Sequence, residues 1–180
     1  MEQIRIHGRG GQGVVTAAEL IAIAAFDNGK YAQAFPHFGV ERSGAPVQSY
    51  ARISDEKIIT REQIYNPDIL IIQDASLLET EKNILVGTNK DTLFIINAPH
   101  NYQSPIKLPS KKVFYTPATE IALKIFGKNI VNTVILGSFA KHAGLITLES
   151  LKSAVSEKFS DKGEAIIKKN IQAIESAFND

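Results

Sequence analysis

The residues best placed to do chemistry in this sequence are the glycines near its beginning. Gly8-Arg9-Gly10-Gly11-Gln12-Gly13 follows a short strand pattern at residues 3–7 and precedes a nearly apolar helix pattern at residues 14–26. A strand, a glycine-rich turn and a buried helix in this order are typical of the first unit of a parallel α/β sheet. Glycines tolerate a tight turn and leave the backbone amides at the helix start open to a ligand. Because those amides lie at the positive end of the helix dipole, the pattern predicts an anion site.

The spacing of Gly8, Gly10 and Gly13 matches the fingerprint of dinucleotide-binding proteins, but one part of that fingerprint is missing. Such sites carry an acidic residue about 20 residues further on, at the end of the second strand, where it holds a ribose. The predicted second strand, residues 30–35, has no Asp or Glu, and the next acid is Glu41. We therefore expect a phosphate-bearing ligand at residues 10–13 and disfavour NAD. A turn that binds no ligand is the alternative.

The composition narrows the class of protein. A chain of 180 residues with 44% hydrophobic and 22% charged residues fits one globular domain. Its 20 basic and 19 acidic residues give a net charge of +1, which provides no electrostatic reason to expect nucleic acid or a membrane surface. We find no signal-peptide pattern and no apolar run of about 18 residues. We therefore expect a cytoplasmic protein that binds neither nucleic acid nor a membrane.

Few side chains in the sequence could carry a reaction. The chain has no cysteine, and therefore no disulfide, no thiolate nucleophile and no cysteine-ligated iron–sulfur cluster of its own. Asp74 and His100 both follow predicted strands and could meet near Gly10, but a helix cap and a loop residue are the favoured interpretations. We predict no catalytic and no metal-binding residue, since the four histidines lack metal-ligand spacing: His7, His37, His100 and His142.

The remaining elements must position the glycine-rich turn. Continuous apolar runs at residues 69–72 and 93–96 are typical of strands buried on both faces, and residues 113–115 resemble them. Residues 47–53 alternate as a half-exposed strand does, with Ile58-Ile59 as a possible hairpin partner. Three helix starts are predicted: a capping box at Ser76 and Glu79, Thr116 as a cap before Pro117, and Thr147. We predict one domain over residues 1–180, a three-layer α/β/α Rossmann-like fold with a mainly parallel, mixed sheet that is antiparallel around residues 46–60.

Two stretches together resemble a known family. The first is GRGGQGVVTA at residues 8–17, and the second is FGVERSGAPV at residues 38–47, with Arg52-Ile53-Ser54 after it. Both strongly resemble the gamma subunit of pyruvate:ferredoxin oxidoreductase, one of the thiamine diphosphate-dependent 2-oxoacid:acceptor oxidoreductases. The resemblance continues through Asn66-Pro67-Asp68, covers most of the chain and weakens after about residue 100. The sequence is closer to the pyruvate branch than to the 2-oxoglutarate branch.

This resemblance implies a function that the chain performs only with partners. The family oxidatively decarboxylates a 2-oxoacid, makes an acyl-CoA and reduces ferredoxin or flavodoxin. Thiamine diphosphate and the iron–sulfur clusters belong to the alpha, beta and delta subunits, and the absence of cysteine here agrees with that division. The gamma subunit is implied to be non-catalytic and to help hold coenzyme A. The residues implied to face coenzyme A are Gly8, Arg9, Gly10, Gly11, Gln12, Gly13, Arg42, Ser43 and Gly44.

Two other functions stay open from the sequence. The chain could be a stand-alone dinucleotide-binding oxidoreductase, against which the missing acidic residue and missing catalytic groups count. It could also be a purely architectural subunit whose glycine turn binds nothing. Because a chain without redox groups needs stable partners, we expect extensive apolar interface surface and self-association of the isolated chain.

Overall fold

A six-stranded sheet forms the centre of this computed structural model, which describes residues 1–37 and 43–180. The strands in chain order are β1 (Glu2–Arg9), β2 (Tyr31–Pro36), β3 (Pro46–Ser54), β4 (Ile69–Ile72), β5 (Leu93–Asn97) and β6 (Val113–Thr116). Their order across the sheet is β2-β3-β1-β4-β5-β6.

The sheet is mixed because one strand runs against the others. β3 pairs antiparallel with both β1 and β2, whereas β1, β4, β5 and β6 form parallel pairs. β3 is therefore inserted between the two strands of the opening β1-helix-β2 unit. The predicted mainly parallel, mixed sheet is confirmed, and of the antiparallel portion predicted around residues 46–60, residues 46–54 form β3.

Six α-helices accompany the sheet in the described part of the chain. They are α1 (Val14–Asp27), α2 (Leu77–Thr80), α3 (Ala118–Phe126), α4 (Val134–Ala143), α5 (Leu148–Lys158) and α6 (Glu164–Asn179). A short 3₁₀ helix at Ser160–Lys162 joins α5 to α6. Among these helices, none combines the length and the apolar character needed to cross a membrane.

The two faces of the sheet are covered very unequally. Ile4, Ile6, Ile71 and Ile95 point into a core shared with α1, α3, α4, α5 and α6. The opposite face, from Leu70 to Ile96, packs against α2 and the irregular segments near it. The central strands are buried on both faces, as their continuous apolar sequences predict. The result is a three-layer α/β/α domain with one thick and one thin helical layer.

Three local predictions were wrong. Residues 58–59 form no strand, because side chains of the sheet hold this segment by its carbonyls: Gln33 donates to Thr60 O and Arg52 to Glu62 O. Thr116 ends β6 instead of capping α3, and its hydroxyl donates to Ser138 Oγ at 2.7 Å. A helix begins after Ser76 as predicted, but the capping box does not form, since Ser76 has helical backbone angles and its side chain makes no capping bond. The predicted cap at Thr147 is confirmed.

Candidate anion site at the start of the first helix

The turn within the glycine turn (residues 8–13) is shorter than the sequence predicts, since β1 continues through Gly8 and Arg9. The chain reverses at residues 10–13 and enters α1 through Gly13, whose φ is 69°. Gly11 is exposed and has a φ of 93°, a conformation that other residues rarely adopt. The amides of Gly11, Gly13 and Val14 donate to no acceptor within residues 1–37 and 43–180. They can donate to an acceptor from outside the described residues, and the first turn of α1 contains no acid to neutralise them.

Two of the glycines permit close packing around the turn. A Cβ on Gly8 would lie 2.6 Å from Val14 Cγ2, so this glycine allows β1 and the start of α1 to approach each other. A Cβ on Gly13 would lie 2.5 Å from Nδ2 of Asn132. Gly11, in contrast, has open space at its Cβ position. The turn is therefore packed on its inner side and open on its outer side.

The second predicted segment lies directly against the turn. Ser43 forms an isolated parallel bridge with Gly10. The Gly10 amide donates to Ala45 O at 2.8 Å, and the Gly44 amide donates to Gly10 O at 3.0 Å. The structure thus brings Ser43 and Gly44 together with the glycine turn. Arg42, the third residue predicted from this segment, lies outside the described residues.

Arg9 is an internal crosslink in this structure. Its guanidinium donates from Nε to Asp74 Oδ2 at 2.8 Å, from Nη2 to Ser76 Oγ at 2.8 Å and from Nη1 to Gly44 O at 3.2 Å. These bonds join the end of β1 to the end of β4 and to the segment at Gly44. Most of the guanidinium donors are therefore already used, and little of Arg9 is left for an external anion.

Asp74 completes this network. Its Oδ1 accepts from the amide and the hydroxyl of Ser76. Partial burial raises the pKa of the Asp74 carboxyl, but the hydrogen bonds from Ser76 and Arg9 outweigh burial and hold the pKa below its usual value. Asp74 is therefore a charged structural acceptor. His100 lies with Asp180 instead, at 3.0 Å from its Oδ2, so only Asp74 of the two candidate catalytic residues lies at the glycine turn, where it bonds to Arg9.

Gln12 folds back onto the turn, where its Oε1 accepts from the Arg9 amide at 2.7 Å. Sequence reasoning missed three further amide side chains near this point. Gln73 is fully buried beside Gly8, and neither of its amide atoms has a partner among the described residues. Asn97 links Gln73 O to Thr119 at the start of α3. Asn132 touches Gly13 from a distant part of the chain, and no local pattern marks it.

The arrangement can hold an anion, and its components show how. Free amides at a helix start supply donors, and the adjoining segment at Ser43 extends the same surface. Cavities of about 310 and 510 Å³ open beside β6, but no residue of the glycine turn lines either. Within the described residues, no group of three or more acidic or histidine side chains could hold a metal ion.

The fold and the turn define the class: a Rossmann-like α/β domain with a glycine-rich connection between its first strand and first helix. The family model for pyruvate ferredoxin/flavodoxin oxidoreductase matches residues 3–179. A pyruvate synthase subunit PorC from Methanosarcina barkeri is 51% identical over 156 residues, which cover 86% of this chain and 85% of that protein. The pyruvate/ketoisovalerate oxidoreductases common subunit gamma of Thermococcus kodakarensis is 48% identical, covering 99% of this chain and 96% of that protein.

A solved structure agrees with these relatives. The pyruvate oxidoreductase subunit PORC from Thermotoga maritima superposes with a TM-score of 0.85 at 30% identity, over 99% of this chain and 96% of that one. The chain therefore belongs to the pyruvate ferredoxin/flavodoxin oxidoreductase family, as a gamma subunit. It is one component of a multi-subunit oxidoreductase, as the sequence resemblance implied.

Proposed function

We propose that this gamma subunit holds a phosphate of coenzyme A at its glycine turn. The complex would oxidatively decarboxylate a 2-oxoacid, with pyruvate favoured, form the acyl-CoA and pass electrons to ferredoxin or flavodoxin. The alpha, beta and delta subunits would carry thiamine diphosphate and the iron–sulfur clusters. This chain would contribute binding and assembly, and no catalytic group.

The observation that carries this proposal is the unneutralised start of α1. The amides of Gly11, Gly13 and Val14 have no acceptor among the described residues, and the first turn of the helix has no acidic side chain. A 14-residue helix concentrates a partial positive charge at this end, and phosphate oxygens match both the charge and the donors. β2 ends at Pro36 without an acidic residue to hold a ribose, which favours a phosphate ligand other than NAD.

A second part of the site would come from Arg42, Ser43 and Gly44. Two backbone hydrogen bonds and one bridge hold residues 43–45 against Gly10. Arg42 would add a planar, bidentate donor for a phosphate group. Arg9 supports this proposal by fixing Gly44, and less by direct contact.

The outer strand β2 is the surface that we propose for assembly. Its outer edge has no strand partner among the described residues, and unpaired strand edges readily accept another chain. Tyr31 is 51% exposed on this strand, and Ile59, beside the Thr60 carbonyl that Gln33 binds, is 87% exposed. We propose that a partner subunit covers these side chains in the complex, and that isolated chains self-associate there.

Assembly is tested by charge at that surface. Ile59→Asp should weaken association with purified alpha, beta and delta subunits in size-exclusion chromatography. Ile166→Asp, which places the same charge at a 45% exposed isoleucine on α6, should not. Equal behaviour of the two variants would contradict the β2 surface. A wild-type chain that stays monomeric and ignores the partner subunits would contradict the assembly role altogether.

Coenzyme A binding is tested by a pair of matched glycine variants. Gly11 and Gly29 both have positive φ and open space at the Cβ position, but they lie at opposite ends of α1. Each change to valine costs on the order of 1–2 kcal/mol of backbone strain, which a domain of typical stability survives. Only at Gly11 does the new side chain cover the free amides. Both variants should therefore assemble, and only Gly11→Val should weaken coenzyme A binding.

The informative measurement follows two steps on one preparation of the assembled complex. Decarboxylation of the 2-oxoacid on thiamine diphosphate needs no coenzyme A, so Gly11→Val should largely spare it. Formation of the acyl-CoA should show a raised KM for coenzyme A. Equal loss of both steps would mark the turn as structural, and no loss at either would mark it as a bare chain reversal. Micromolar binding of NAD or NADP would favour a dinucleotide enzyme instead.

A further inference from the structure

Asn132 lies at a junction between two helix starts. It precedes Thr133, the N-cap residue of α4, and its side chain contacts Gly13, the N-cap residue of α1. The segment around it is firmly held: Val131 and Thr133 are fully buried, and the Thr133 hydroxyl donates to Asn170 Oδ1 at 2.7 Å. The Thr133 side chain makes no capping bond to α4, and the backbone of Thr133 is already helical.

The amide of Asn132 has no partner in the described part of the chain. The residue is only 8% exposed, and its side chain forms no hydrogen bond within residues 1–37 and 43–180. Its Nδ2 lies 2.5 Å from the point where a Cβ on Gly13 would stand, so the missing side chain of Gly13 makes room for this amide. The amide is not among the fully buried atoms that lack a partner, so it reaches the surface beside Gly13, where it can donate to a ligand.

The local electrostatics favour an anion as that ligand. α1 and α4 begin next to each other at Gly13 and Asn132, and neither helix has an acidic residue in its first turn. Two positive dipole ends therefore lie side by side without a negative side chain from either helix. Gln73, a fully buried amide without a partner among the described residues, lies beside Gly8.

We propose that Asn132 is a ligand-binding residue that donates from Nδ2 to the phosphate group held by the glycine turn. The anion then lies between the starts of α1 and α4, with the backbone amides of Gly11, Gly13 and Val14 on one side and Asn132 on the other. This inference rests on the proposed binding of coenzyme A at the turn. It adds to that site a residue 119 positions after Gly13, which none of the sequence motifs includes.

The test replaces the side-chain amide of Asn132 by a carboxylate of the same shape. Asn132→Asp in the assembled complex should raise the KM for coenzyme A about 10-fold or more, because a charge-assisted hydrogen bond is replaced by repulsion. The kcat at saturating coenzyme A and the KM for the 2-oxoacid should stay unchanged. Asn132→Ser keeps a shorter hydroxyl donor and should raise the KM for coenzyme A by less.

Asn89→Asp is the matched control. Asn89 is exposed before β5, at the opposite edge of the sheet, and its Oδ1 accepts from the Asp91 amide, a bond that aspartate preserves. Inorganic phosphate is the second probe. It should inhibit the wild-type complex competitively with coenzyme A, and Asn132→Asp should weaken that inhibition by a similar factor.

The outcomes separate this inference from the proposed function. If Gly11→Val raises the KM for coenzyme A while Asn132→Asp behaves like Asn89→Asp, Asn132 is not in the site and the glycine turn still is. If neither variant changes that KM, both proposals fail. If Asn132→Asp and Asn132→Ser lower both reaction steps equally, Asn132 is structural. Weakened inhibition by phosphate with an unchanged KM for coenzyme A would also overturn the inference, since the site would then hold free phosphate.

Discussion

The Arg9–Asp74 pair offers the sharpest prediction about stability. Arg9 crosslinks three segments of the chain, and Asp74 is its charged acceptor at 2.8 Å. A double-mutant cycle isolates the pair: Arg9→Ala, Asp74→Ala and the double variant, each compared with wild type. The loss of the hydrogen bonds that Arg9 and Asp74 form with Ser76 contributes to the free-energy changes of the single variants. The coupling energy reports the direct contact between Arg9 and Asp74.

The magnitude follows from the exposure of the two side chains, which are 28% and 24% accessible. Fully exposed ion pairs contribute about 0.2–1 kcal/mol, whereas hydrogen bonds to charged groups contribute about 1.5–3 kcal/mol. A pair exposed by a quarter falls between these values, so we expect a coupling energy of about 1 kcal/mol. Asp74→Ala alone also loses two bonds from Ser76, and we expect it to cost about 2–3 kcal/mol.

Urea unfolding at several pH values measures this coupling. The pKa of Asp74 is lowered in the folded protein, so the contribution of its charge is present above the ordinary carboxyl pKa of about 3.9. It is lost as the pH falls through the lower, folded-state pKa. The coupling should therefore be constant from pH 7 to about pH 4.5 and decline only below that range. A coupling energy near zero at pH 7, or one that grows on acidification, would contradict a stabilising contact between charged Arg9 and charged Asp74.

Three further predictions concern separate parts of the chain. Burial, assisted by Arg5 and His37, lowers the pKa of His7 to about 3. Below about pH 6.5 only the unfolded chain takes up a proton at His7, so the free energy of unfolding should fall by up to about 1.4 kcal/mol for each pH unit of acidification. In urea unfolding between pH 7 and 5, His7→Gln should remove this pH dependence. Equal pH dependence in the variant and the wild type would contradict the prediction. Arg42→Ala should raise the KM for coenzyme A and leave the KM for the 2-oxoacid unchanged. Arg42→Lys should have an intermediate effect, because lysine keeps the charge but lacks the planar guanidinium. An unchanged KM for coenzyme A in Arg42→Ala would exclude Arg42 from the site. A Cβ at Gly137 would lie 2.2 Å from Ile174 O, so Gly137→Ala should separate α4 from α6. The substitution should lower the free energy of unfolding by about 3 kcal/mol, measured by thermal unfolding. An unchanged Tm would show that the two helices adjust to the methyl group freely.

Local patterns in the sequence predicted much of this fold correctly. The apolar run at residues 69–72 and the glycine turn followed by α1 are each determined by neighbouring residues, so both were predictable within one or two positions. The boundaries that failed depend on distant partners. Thr116 has the local pattern of a helix cap, but in the folded chain its hydroxyl donates a hydrogen bond to Ser138, 22 residues away. Ile58-Ile59 has the local pattern of a strand, but in the folded chain the side chains of Arg52 and Gln33 donate hydrogen bonds to the nearby backbone carbonyls.

The candidate site shows the same division. The proximity of Gly10 to Ser43 and Gly44 agrees with the two motifs that the sequence offers. The internal bonding of Arg9 was not predictable, because a basic residue in a glycine-rich turn resembles a phosphate ligand until Asp74 is placed beside it. Asn132 carries no local signal at all, since only the folded chain brings it to Gly13.

A structure of the assembled complex with coenzyme A bound would show whether the start of α1 holds a phosphate of this ligand. We expect one phosphate group about 3 Å from the amides of Gly11, Gly13 and Val14, the usual hydrogen-bond distance. Coenzyme A bound with all of its phosphate groups away from residues 10–14 would contradict a phosphate site at the glycine turn.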